Sequence, residues 1–128
     1  MSWKTLFILV LLSMILAACG GKPAPFGDLA AGEALFKQAT IDGAPGCATC
    51  HSTEPDVVVV GPSLAGVASR AGERVERETA GQYLRNSILN PNAYVVEGFS
   101  PGTMYQEFAS VLNDQQVDDL VAYLLTLK

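Results

Sequence analysis

The stretch Cys47-Ala48-Thr49-Cys50-His51 decides how the rest of the chain is read. It is the C-x-x-C-H pattern of covalent haem attachment. Two thiols three positions apart on a tight turn can each add to one vinyl group of the same porphyrin, forming two thioethers. The histidine that follows at once is carried beneath the ring, where its Nε2 can bind iron. Such a ligand needs a partner on its other ring nitrogen to fix tautomer and orientation.

Three rival readings of the motif have less support. A thioredoxin-like redox pair wants a preceding strand and a βαβ pattern, whereas here the motif follows the turn Gly43-Ala44-Pro45-Gly46. Structural zinc takes four ligands, and Cys47, Cys50 and the lone His51 leave that set one short. A disulfide between Cys47 and Cys50 would close a very small, strained loop.

Outward from the motif, His51 is the only histidine, so a second histidine cannot take the other side of an iron. Met1 and Met14 fall in an N-terminal leader, which leaves Met104 as the single methionine of the mature chain. Met104 lies in the turn-rich loop Ser100-Pro101-Gly102-Thr103-Met104-Tyr105, which has no amphipathic period. Methionine used as core filler belongs on a helix face or strand, so the position favours an axial ligand. Thioether opposite histidine raises the iron potential and fills both axial sites.

Residues 1–18 read as a secretory leader: Lys4, an apolar run from Leu6 to Leu16, then small residues. That run is shorter than the roughly 20 residues a bilayer span needs. Leu16-Ala17-Ala18-Cys19 resembles the bacterial lipoprotein box, which implies that Cys19 is lipidated and becomes the N-terminus. Two or more acyl chains suffice for stable attachment. Of three cysteines one is then the anchor, and the other two belong to the motif. Residues 19–27 form a lipid-anchored Gly/Pro tether, and residues 28–128 form one domain. Fully extended, the eight residues from Gly20 to Gly27 reach about 25 Å, which holds the domain close to the membrane.

The chain carries a net charge of −5, and loss of Lys4 with the leader takes it to −6. Lys22, Lys37 and Lys128 are scattered. This balance argues against nucleic acid and against electrostatic binding to anionic lipid.

Hydrophobic periodicity reads as mostly helical. Asp28 caps a helix reaching about Ala39, with Leu29, Gly32 and Phe36 on one side. Asn113 and Gln116 form a capping box for a last helix running to Lys128, with Val117, Leu120, Val121 and Leu124 on its apolar face. Thr79 or Ala80 opens a helix through Tyr83, Leu84, Ser87 and Ile88, stopped by Asn90-Pro91. A shorter helix is expected over Ser63 to Ala71. Val57-Val58-Val59-Val60 is the one strand-like run, too isolated to build a sheet.

On these residues the chain resembles class I cytochromes c over 28–128. The resemblance rests on Gly32-Glu33-Ala34-Leu35-Phe36, Cys47 to His51, Gly61-Pro62-Ser63-Leu64-Ala65-Gly66, Asn86 to Pro91, Met104 and the terminal helix. It implies an all-α fold of about four short helices around one covalently attached haem c. It also implies that Gly32 and Phe36 pack on Tyr123, and that the carbonyl of Pro62 holds His51. Asn90 to Gly102 looks like the approach to the methionine in membrane-associated cytochromes serving terminal oxidases, such as the domain fused to some oxidase subunit II chains or the small cytochrome subunit of alternative complex III. Tyr105 stands where that family commonly has proline; its ring could pack on the haem and its hydroxyl could bond a propionate. Arg70 and Arg74 are candidate propionate partners by charge.

The expected function is outer-sphere electron transfer, with no bond made to substrate and no enzymatic step. Expected partners are redox proteins, from a quinol-oxidising complex to a terminal oxidase or similar acceptor, met on the extracytoplasmic side of a membrane. The lack of a lysine ring points to a partner face that is apolar or basic. A haem enzyme or gas sensor with an open sixth position would want a distal acid or base. A structural lipoprotein with an accidental motif would be colourless.

Overall fold

Two helices at opposite ends of the chain are locked together by a glycine that leaves no room between them. In the computed structural model, which describes residues 27–128, these are α1 (Leu29–Phe36) and α5 (Asp114–Leu124). The leader, Cys19 and the tether ahead of Gly27 lie outside the described residues. A methyl group added at Gly32 would overlap the carbonyl of Asp119 on α5. One turn on, the rings of Phe36 and Tyr123 meet at 5.3 Å between centroids, tilted by 52°. The expected packing of Gly32 and Phe36 on Tyr123 is therefore present. Leu29 is not part of it, being largely exposed; Leu35 is the third buried residue of α1.

Both caps of this pair are side-chain caps. Asp28 Oδ1 accepts the Ala31 N–H at 2.9 Å. Asn113 Oδ1 accepts the Gln116 N–H at 2.9 Å, and Gln116 Oε1 accepts the Asn113 N–H at 3.0 Å. Each helix ends sooner than its periodicity suggests. α1 stops at Phe36 rather than Ala39, where the Gln38 N–H turns back to the Leu35 carbonyl at 3.2 Å. α5 stops at Leu124 rather than Lys128, because Thr126 and Leu127 fold into tight turns on the carbonyls of Tyr123 and Leu124. The Leu127 carbonyl then accepts the Ala68 N–H at 3.0 Å, tying the C-terminus to the middle of the chain.

The chain leaves α1 through a small hairpin, β1 (Thr40–Ile41) and β2 (Ala44–Pro45), paired antiparallel. Its turn is Asp42-Gly43, both in the left-handed region at φ 46° and 84°, as a tight two-residue hairpin turn demands. This is the two-stranded sheet of the described residues, and the valine run takes no part in it. Residues Val57–Val60 form an exposed loop in which Val58 makes a single antiparallel bridge to His51.

Three further helices complete the domain. α2 is shorter than expected, Val67–Arg70, and passes into a 3-10 turn over Ala71–Glu73. Ser63 to Gly66 stay outside it, since Gly66 is left-handed at φ 68°. α3 (Ala80–Leu89) starts on a Thr79/Gln82 capping box and ends before Asn90-Pro91, as its sequence implies. α4 covers Phe108–Val111. The core joins Phe36, Tyr83, Leu84, Phe108, Val117 and Leu120.

Candidate functional site

The hairpin delivers the chain into a 3-10 turn at Cys47–Thr49, and this turn sets the spacing of the motif. The N–H groups of Cys50 and His51 both return to the Cys47 carbonyl, at 3.2 and 2.9 Å. Thr49 holds the turn from the side, its hydroxyl donating to the Gly46 carbonyl at 2.5 Å. Cys47 and Cys50 are free thiols facing one cavity. Burial pushes the Cys47 thiol up to about 11, so it is held protonated at neutral pH.

The loop after the motif then folds back over it. Val60 and Gly61 both donate their N–H groups to the Cys50 carbonyl, at 3.2 and 2.9 Å, and Leu64 donates to Ser52 at 2.8 Å. This brings the Pro62 carbonyl 2.9 Å from His51 Nδ1. A carbonyl can only accept, so Nδ1 carries the proton and Nε2 keeps a free lone pair. Burial lowers the pKa of the imidazole and so favours a neutral, ligating ring; the Pro62 carbonyl works weakly against that shift while fixing which nitrogen carries the proton. Gly61 is needed for the approach: a methyl there would come within 2.5 Å of His51 Cε1.

Met104 arrives from the other side of the sequence. It is half-buried, packs on the core and lines the same cavity as Cys47, Cys50 and His51. Tyr105 beside it stacks edge-on against Phe108, with centroids 5.0 Å apart. The five residues singled out in the sequence, Cys47, Cys50, His51, Pro62 and Met104, thus converge on one place. Cys19 lies outside the described residues.

The cavity has a volume of about 190 Å³, opens to solvent at its mouth, and has mostly apolar walls. Interiors normally close-pack, leaving few voids larger than a water molecule. A cleft of this size in so small a domain suits a large, flat, apolar group. Two thiols at haem-attachment spacing, a neutral imidazole with its lone pair free and a thioether on one apolar cavity are a donor set that fits haem c. Arg70 and Arg74 also line it. Arg70 is already engaged, donating to the Ser63 carbonyl at 2.8 Å and to that of Ala65, which braces the loop behind Pro62. No clustered His, Cys, Asp and Glu that could hold a separate metal ion occur among the described residues.

The roles of Gly61, Asn92 and Gln106 carry no signal in the sequence. Gly61 belongs to the Gly61-Pro62 pattern, which does not encode its steric role against His51. The two amides are exposed loop residues whose contacts follow no period.

Comparison with known proteins places these features in context. The family described as Cytochrome c matches residues 29–128. A cytochrome c2 of Rhodopseudomonas palustris is 32% identical over 124 residues, covering 79% of this chain and 99% of that protein. A cytochrome c2 of Blastochloris viridis is 32% identical over 124 residues, covering 87% of each.

Proposed function

The chain belongs to the cytochrome c family, and on that premise we propose that it is a lipid-anchored, single-haem electron carrier working outside the cytoplasmic membrane. When bound, haem c supplies a one-electron Fe(III)/Fe(II) couple. The residues of this chain supply the rest. Cys47 and Cys50 would hold the group covalently and His51 would offer it Nε2, while the Pro62 carbonyl keeps that imidazole in one tautomer and one orientation. Met104, on the same cavity, would supply a thioether to hold the group. The apolar walls would limit water around the group and give it a low-dielectric setting held fixed by the fold.

The observation that carries this reading is the convergence of Cys47, Cys50, a carbonyl-braced His51 and Met104 on one apolar cavity. A haem enzyme or gas sensor would need an open sixth position and a distal acid or base. The only histidine is committed to Pro62, and a thioether lines the cavity.

Redox proteins are the partners of such a carrier. The finer assignment, from a quinol-oxidising complex to a terminal oxidase of a respiratory chain, rests on the likeness of Asn90 to Gly102 to oxidase-linked cytochromes. An apolar partner face is supported by the exposed Val57–Val60 loop, whose Val60 reaches the cavity. The lipid anchor rests on Leu16 to Cys19. No helix among the described residues is long and apolar enough to cross a membrane.

The test is the optical spectrum of the haem-loaded protein, ferric and ferrous, with and without carbon monoxide. A low-spin c-type spectrum, insensitive to carbon monoxide and carrying the ferric–thioether charge-transfer band, is expected. That band disappears in Met104→Ala. A high-spin spectrum shifted by carbon monoxide would instead establish an open iron. For the anchor, mass spectrometry of the mature N-terminus should find diacylglyceryl-Cys19, lost in Cys19→Ser.

A further inference from the structure

We propose that Asn92 and Gln106 form an amide bracket that positions Met104, taking over the loop-stiffening role that a proline after the methionine would play. The inference rests on Met104 being the axial ligand. Three hydrogen bonds make the bracket. Asn92 Oδ1 accepts the Gly102 N–H at 2.8 Å. Asn92 Nδ2 donates to Gln106 Oε1 at 2.6 Å. Gln106 Nε2 donates to the Met104 carbonyl at 2.5 Å. Residues 102, 104 and 106 are therefore all tied, directly or in relay, to one side chain on the far limb of the loop.

The chemistry admits only one arrangement of the two amides. A backbone N–H must meet an oxygen and a backbone carbonyl must meet an NH₂. Once Asn92 turns Oδ1 to Gly102 and Gln106 turns Nε2 to Met104, their remaining ends are an NH₂ and an oxygen facing one another. The orientation of each amide is thus fixed by the network. No carboxylate or hydroxyl replaces either side chain while keeping all three bonds.

The base of the bracket is stiff. Asn92 follows Pro91 at the end of α3, where Asn90 N–H bonds to the Asn86 carbonyl at 2.7 Å and Ala93 N–H to the Asn90 carbonyl at 2.8 Å. On the other flank Tyr105 is pinned by Phe108. Met104 sits between these two fixed points, in a segment with no helix or strand of its own. Ordering such a segment opposes thioether binding unless the fold has already done it.

Competition by imidazole for the ferric haem protein tests the bracket. A ligand that must displace Met104 binds more tightly as the bound fraction of methionine falls. Each bracket bond lies in exposed loop, so Asn92→Ala and Gln106→Ala should each raise apparent imidazole affinity roughly three- to tenfold. Gln106→Glu, which keeps the size but cannot donate to the Met104 carbonyl, should behave like Gln106→Ala. In a Met104→Ala background none of these should change imidazole affinity. Unchanged affinity in the Met104 background, or an equal rise in both backgrounds, overturns the bracket. Normal behaviour of Gln106→Glu alongside a defective Gln106→Ala overturns the hydrogen-bonding role. If Met104→Ala itself leaves the charge-transfer band and imidazole affinity intact, the ligand assignment fails first, and the bracket with it.

Discussion

Asp119 Oδ1 accepts the backbone N–H of Asp28 at 2.6 Å, joining residues 91 apart in sequence. The same oxygen accepts Gln115 Nε2 at 2.8 Å. Asp28 in turn caps α1 through its own side chain. A buried carboxylate on the last helix therefore fixes the residue that starts the first, and the domain closes on itself through a relay of caps. Hydrogen bonds to a charged group contribute more than neutral ones, about 1.5–3 kcal/mol each by substitution.

Asp119→Ala should accordingly lose about 2–3 kcal/mol of stability. Guanidinium titration of the haem protein, followed by far-ultraviolet circular dichroism, is the check. Asp119→Asn keeps one acceptor and should lose less. A midpoint unchanged in Asp119→Ala would mean that the relay contributes nothing measurable.

Gly32→Ala sets two effects against each other. Helix propensity alone favours alanine by about 1 kcal/mol. The added methyl would meet backbone, the Asp119 carbonyl, which cannot rotate aside. Overpacking of this kind costs typically about 1–3 kcal/mol, so a net loss in thermal midpoint is expected. A raised midpoint would show that α1 and α5 can separate cheaply.

Two other glycines separate site from scaffold. At Gly61 an added methyl would press on the His51 ring at 2.5 Å from Cε1. Gly61→Ala should therefore disturb haem incorporation and the Soret spectrum. At Gly43 there is open space, but φ is 84°. Gly43→Ala should cost about 1–2 kcal/mol of backbone strain while leaving the spectrum untouched. Identical spectra for the two purified variants would detach Gly61 from the ligand.

Met104→His should keep a low-spin, carbon-monoxide-insensitive iron while lowering the reduction potential, because thioether ligation is the term that raises it. Potentiometric titration of both proteins measures the difference. An unchanged potential would remove Met104 from the iron.

Legibility from sequence followed the range of the interactions. The boxes at Thr79/Gln82 and Asn113/Gln116 are local codes spanning three residues, and both start helices where the sequence implies. The attachment motif is local as well, and its five residues already carry the spacing. The Asp42-Gly43 turn had the signal of a hairpin but strands of two residues each, too short to show alternation. Val57–Val60 misleads in the opposite direction: β-branched residues favour extended backbone, yet the run lies exposed because Val60 and Gly61 bond the Cys50 carbonyl instead of a partner strand. Asp119 looks like a solvent-facing helix residue until α1 is laid across it. Asn92 and Gln106 meet through the loop's own path, which no periodicity encodes.

Gly27 enters the domain wedged against α5: any side chain there would overlap the Asp118 carbonyl. A pull applied to the chain ahead of this point is therefore delivered at once to the α1/α5 crossing. Phe36 of α1 and Leu120 and Leu124 of α5 also line the cavity, so such a pull is felt at its wall.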